Sequence, residues 1–170
     1  MSSPLRRHAG TVVPHTAAAC ASKLEVTAAA AKTTPEVAPK LDPLQLGVGV
    51  RCGTERIDHN TRRLTERERD NPDFVLFQAV AINCFNLIER SEIIARINQV
   101  PGLAMSVVCC YGGYTHLWAG LRRMWSRQGG QQGDPLLPLI FAVVLHTLVK
   151  KIEDLGLLLN KCYLDDGAIA

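Results

Sequence analysis

With 170 residues and 18.6 kDa, the chain has room for one domain with a real core and not for two large ones. Its 47% hydrophobic and 21% charged residues are ordinary for a soluble globular protein, and a net charge of +3 permits a polyanionic partner without demanding one. The longest apolar run, 136–145, is too short for a membrane span, and none of the six cysteines stands in a C-x-x-C pair, so a membrane helix and a zinc site both lack support.

Residues 1–40 are rich in Ala, Thr and Pro and poor in large apolar side chains, which predicts a partly disordered segment. Within it, "AAACASKLEVTAAAAK" has the alanine content for one helix. The first 23 residues carry Arg6, Arg7 and Lys23 and no acid, a composition shared by organellar transit peptides and, more plainly, by arbitrary N-termini. Larger apolar residues begin at Leu41, so the ordered domain is expected over 41–170.

"TERIDHNTRRLTERERD" (54–70) reads as a solvated helix ended by Asn71-Pro72. "DFVLFQAVAI" (73–82) is rich in β-branched and aromatic residues and predicts a buried strand. Leu87, Ile88, Ile94 and Ile97 have helical spacing. Pro101-Gly102 breaks that pattern, and "LAMSVVCCYGG" predicts a second short helix closed by Gly112-Gly113. "YTHLWAGLRRMWS" (114–126) leans towards strand, with Trp118 and Trp125 expected in the core, although base stacking is the alternative for both rings. "RQGGQQG" (127–133) is irregular.

Asp134 is a good N-cap and Pro135 a good first helical residue for "PLLPLIFAVVLHTLVKKIEDLG", in which His146 is expected as a satisfied core histidine. "LLLNKCYLDDGAIA" predicts two short strands joined at Asp165-Asp166-Gly167. The order of elements is α+β: helices packed on an antiparallel sheet. The cysteines Cys20, Cys52, Cys84, Cys109, Cys110 and Cys162 are read as reduced, in an intracellular chain of cytoplasm or nucleus.

Two adjacent carboxylates in an apolar stretch admit two readings. In a tight turn they can project together and bind a hard divalent cation, or they can be plain turn chemistry, which explains "DDG" completely when it is taken alone. "QGGQQGDPLLPLIF" is likewise either an ordinary loop-to-helix junction or a helix N-terminus that favours phosphate; it is not a Walker loop.

Taken together, the blocks say more. "SRQGGQQGDPLLPLIFAVVLHTLV" followed by "LLLNKCYLDDG" closely resembles the palm domain of reverse transcriptases of LINE-like, non-long-terminal-repeat retroelements. "DPLQLGVGVRCGTERI" is similar to that family's fingers segment, and "FVLFQAVAINCFNLIERSEII" to the strand bearing its first catalytic aspartate. The likeness runs from about Asp42 to Ala170, in the family's order.

The resemblance implies an RNA-directed DNA polymerase that joins deoxynucleotide triphosphates to a DNA primer on an RNA template, using two Mg²⁺ or Mn²⁺ ions. It implies a palm-type antiparallel sheet with packed helices and incomplete fingers. It makes Asp165 and Asp166 the metal-binding, catalytic pair and Tyr163 the tyrosine of the same motif. Gln132 and Gly133 match the block that positions template and nucleotide, Phe85 the bulky residue that excludes a ribose 2′-hydroxyl, and Asn83 and Asn86 the asparagines beside it.

One position departs from the pattern. The family has an aspartate three residues before Asn83, and here that position is Val80. Its loss removes a metal ligand and a charge, so the resemblance implies an inactive copy. Glu89 is the nearest acid downstream, and it is not expected to substitute. The further expectation is a truncated domain: no thumb, no endonuclease, and a second hairpin strand cut short after the "YLDD" turn, leaving an unpaired edge. Two other readings stand beside this one. The first is a non-catalytic nucleic-acid-binding module, from Arg122, Arg123 and Arg127 with Lys150 and Lys151. The second is a retroelement remnant without function.

Overall fold

The computed structural model describes residues 13–15, 23–119, 121–130 and 133–170. It is a mixed α+β protein with two small antiparallel sheets. The first helix, α1 (Lys23–Leu41), lies mostly within the segment expected to be partly disordered. It needs few large side chains, because Val26, Ala30, Val37 and Leu41 fall on one stripe and small residues let the helix approach the core closely. Pro35 and Pro39 each leave a carbonyl without its helical donor, and Thr33 and Thr34 bond back to the carbonyls of Ala29 and Ala30 at 2.9 and 2.8 Å.

The charged segment forms α2 (Gly53–Arg67), as its pattern predicts, with Leu64 turned inward. Then come β2 (Phe77–Val80), α3 (Cys84–Leu87) and α4 (Arg90–Ile97). A single 3₁₀ turn at Pro101–Leu103 leads into α5 (Ala104–Tyr111). The ambiguous stretch is a hairpin, β3 (Thr115–Ala119) and β4 (Arg122–Ser126), joined at its outer edge by β1 (Val13–His15). The long apolar segment is α6 (Leu137–Glu153), followed by β5 (Asn160–Tyr163) and β6 (Asp166–Ile169).

The main core lies between α1, α4, α5 and α6. Ile93, Val107, Leu136 and Ala142 are fully enclosed there, and burying a side chain as large as Ile93 or Leu136 is worth about 1.5–3 kcal/mol. α6 is apolar around most of its circumference because it is covered on two sides. Leu139, Ile140 and Val143 meet the helices, and Val149 packs with Leu44 and Cys162 of the sheet side.

Several expectations are corrected. The strand at 77–80 is not buried: Phe77 and Val80 are exposed, and among the described residues β2 is an edge strand paired with β6 alone. The second hairpin strand is not left with an open edge. β6 is the centre of its sheet, pairing with β2 on one side and β5 on the other over all four residues. Trp125 is half out in solvent rather than in the core, and the side chain of Trp118 lies outside the described residues. α6 starts at Leu137, two residues later than expected, because Asp134 caps the preceding turn instead: its Oδ1 accepts from Leu136 N–H at 2.9 Å. His146 has both ring nitrogens buried without a hydrogen-bond partner, and burial, helped by Lys150, pushes its pKa down so that it stays neutral.

The five cysteines among the described residues are free thiols. No helix there is long and apolar enough to cross a membrane.

Candidate functional site

The ladder between β2 and β6 sets Val80 directly opposite Asp166, so their side chains lie on one face of the sheet. Ala81 N–H then donates to the Asp165 carbonyl at 3.0 Å, which carries the pairing into the turn. On the other side of β6, Tyr163 is opposite Asp166. The residue that the sequence pattern flags as altered thus stands opposite Asp166, and its neighbour Ala81 bonds to the backbone of Asp165. Val80 is 67% exposed, so it is a bare isopropyl group at a water-facing position, not a core residue.

Cys84, the first residue of α3, lies in the field of the same pair. Burial first, then the negative charge of Asp165 and least that of Asp166, push its thiol pKa up, so it stays a neutral thiol. The residues present here do not fit a two-metal centre. Two carboxylates, a protonated thiol and a valine lack the bridging ligand, and among the described residues no group of three or more His, Cys, Asp and Glu converges on a metal position.

The turn that carries Asp165 is built on a residue with no turn chemistry of its own. Leu164 has a left-handed backbone (φ 53°), a conformation that costs about 1–2 kcal/mol in a residue with a Cβ. Gln45, fully buried, holds it there. Its Oε1 accepts from Leu164 N–H at 2.8 Å and from Gly47 N–H at 3.0 Å, and its Nε2 donates to the Leu164 carbonyl at 3.3 Å. The flanking backbone locks Gln45 in turn: Leu46 N–H donates to Cys162 O and Cys162 N–H to Leu44 O, both at 2.7 Å. A fourth segment thereby extends the β2–β6–β5 sheet at β5.

The glycine-rich loop docks on the block that follows Val80. Gly129 N–H donates to Ile88 O and Gly130 N–H to Phe85 O, both at 2.8 Å. Phe85 is half-buried, its ring 4.5 Å from that of Phe141 on α6. Asn83 also has a left-handed backbone and accepts a short hydrogen bond from Asn86. Gly133 is exposed with φ +83°, and Gln132 lies outside the described residues. Glu89 is engaged with the loop, accepting from Gln128 Nε2 at 2.7 Å.

Arg90 is a second unforeseen organiser. It donates to Gly113 O at 2.8 Å, Ser126 O at 3.1 Å, Ser126 Oγ at 2.7 Å and Gly129 O at 3.2 Å, and it lies over the Tyr111 ring. It joins α4, the end of β4 and the glycine loop. Tyr111 hydroxyl also bonds to Asp134, which ties α5 to the start of α6.

No protein-family model matches the chain, and no curated protein matches it.

Proposed function

We propose that the chain is the palm, with partial fingers, of an RNA-directed DNA polymerase of the LINE-like kind, in a copy whose metal-dependent chemistry is lost at Val80. The observation that carries the reading is the register Val80 opposite Asp166, with Ala81 bonded to Asp165. The sequence resemblance alone asks for the residue three before Asn83 to stand beside the "YLDD" aspartates, and residues 85 apart in the chain had no local reason to meet. Docking of the glycine loop on Phe85 and Ile88 supports the same reading, because the resemblance treats these blocks as neighbours round one nucleotide site.

In this reading the partners are an RNA template, a DNA primer and deoxynucleotide triphosphates, and the family's cofactor is Mg²⁺ or Mn²⁺. When bound, such ions would stabilise charge on the transferred phosphoryl group. Asp165 and Asp166 remain as two of the ligands, and Val80 offers no oxygen. Removing a principal ligand costs several powers of ten in rate, on the scale of other deletions at reacting centres.

Primer extension on an RNA template, with Mg²⁺ or Mn²⁺, tests the proposal. The wild-type chain is expected to give no more product than its Asp165→Asn variant. Robust extension that Asp165→Asn abolishes would show that Val80 is no lesion.

A further inference from the structure

The hairpin of β3 and β4 carries a surface that the polymerase reading does not use. Residues 114–130 contain no acidic side chain. The register sets His116 opposite Trp125, and one step further along the same face come Tyr114 and Arg127. The contacts agree: the His116 and Trp125 rings are 4.0 Å apart, and the Arg127 guanidinium lies 5.4 Å from the Tyr114 ring centre. Arg123 is on this face of β4 as well, since alternate residues of a strand point the same way.

Tyr114 is 67% exposed and Trp125 53%, and Arg122, Arg123 and Arg127 are all exposed. Elsewhere on the protein five described arginines are matched, while Arg51 and Arg63, also exposed, enter none of the described ion pairs. Arg56, Arg62, Arg67, Arg69 and Arg96 each meet a carboxylate. None of the described ion pairs includes Arg122, Arg123 or Arg127. Large rings presented to water beside unmatched guanidinium groups form a face with two recognitions at once, flat apolar surface and positive charge.

We propose that this face binds a single strand of nucleic acid. Its bases stack on Trp125 and Tyr114, and its phosphates meet Arg123 and Arg127, with Arg122 on the flank. A duplex hides its base faces and cannot use the rings, and an acidic peptide would use the arginines and leave the rings idle. Arg90 supports the platform from beneath, through its bonds to Gly113 and to Ser126. The inference needs nothing from Asp165, Asp166 or Val80, so it stands or falls separately from the polymerase reading.

The test is fluorescence anisotropy of labelled 12-nucleotide dT and rU strands and a duplex of equal length, titrated with the full chain over a range of salt. Both single strands are expected to bind at least tenfold more tightly than the duplex, and the two strands show whether RNA or DNA is preferred. Trp125→Ala should weaken binding about tenfold with the salt dependence unchanged, and Trp125→Phe should keep most of the affinity. Replacing Arg123 and Arg127 together by Ala should lower the slope of log affinity against log salt by about 1.4, two phosphate contacts at about 0.7 each.

Should Trp125→Ala melt early, quenching of tryptophan emission by the oligonucleotide reads the same stacking, and it should be smaller in Trp125→Phe than in the wild type. Wild-type affinity in a folded Trp125→Ala protein, equal affinity for duplex, displacement by polyglutamate at matched charge, or absence of that quenching would each overturn the proposal.

Discussion

Replacing Gln45 by leucine is expected to lower stability by about 3 kcal/mol and the melting temperature by about 10 °C. The side chains are similar in size, so no cavity accounts for the loss. What changes is polar. The N–H groups of Leu164 and Gly47 lose their shared acceptor, and the Leu164 carbonyl loses a donor, in a place where Gln45 is fully shielded from water. Each buried group left unpaired costs about 1–3 kcal/mol. The left-handed Leu164 then has nothing to hold it, so the Asp165 turn should loosen, read as faster hydrogen exchange at the Leu164 amide.

Gln45→Glu separates polarity from shape. A buried carboxyl has its pKa raised above the unfolded value, so its contribution is fully present below the unfolded pKa and is lost as pH rises through the folded one. This variant is therefore expected to approach wild-type stability at acid pH and to fall behind it towards neutrality. A Gln45→Leu protein that melts with the wild type would show that Gln45 does not hold the turn.

Gly129→Ala is expected to cost about 3 kcal/mol or more. Gly129 has φ +72°, and an added Cβ would come within 2.2 Å of the Asn86 carbonyl oxygen and 2.7 Å of its Cα. Backbone cannot give way as the end of a side chain can, so the loop must lift off α3. Its hydrogen bonds to Ile88 O and Phe85 O should open, and the amide of Gly130 should lose exchange protection. Gly133→Ala is the control. Its φ is +83° but nothing lies within 4 Å of the added carbon, so only the conformational cost of about 1–2 kcal/mol applies. Equal losses in the two variants would mean that docking on α3 contributes nothing.

Much of the local structure was legible in the sequence. Gly112 ends α5 where the spacing predicts, whereas α2 stops at Arg67, short of the Asn71-Pro72 step, and the predicted hairpin turns at Leu164-Asp165 instead of Asp165-Asp166-Gly167, with Asp166 and Gly167 already in β6. Burial was harder. "DFVLFQAVAI" has the composition of a buried strand, and only the sheet order decides that β2 is an edge. Composition also undervalued α1, because small residues in the right stripe pack as well as large ones.

The candidate site divides in the same way. Asp165, Asp166 and Val80 could be picked out along the chain, whereas their juxtaposition depends on a ladder between distant strands. Gln45 and Arg90 act through bonds to backbone atoms far away in sequence, and a lone glutamine or an arginine in a charged stretch carries no local sign of that.

In the proposed reading Val80, opposite Asp166, occupies the position of a lost metal ligand. Titration of Mn²⁺, followed by its electron paramagnetic resonance signal, into the wild-type, Val80→Asp and Val80→Asp/Asp165→Asn proteins tests it directly. Val80 is exposed, so the aspartate should be accepted without loss of the fold. Val80→Asp is expected to bind Mn²⁺ at least tenfold more tightly than the wild type, and the added Asp165→Asn change to remove the gain. A folded Val80→Asp protein that binds Mn²⁺ no better than the wild type, or a gain that survives Asp165→Asn, would contradict it.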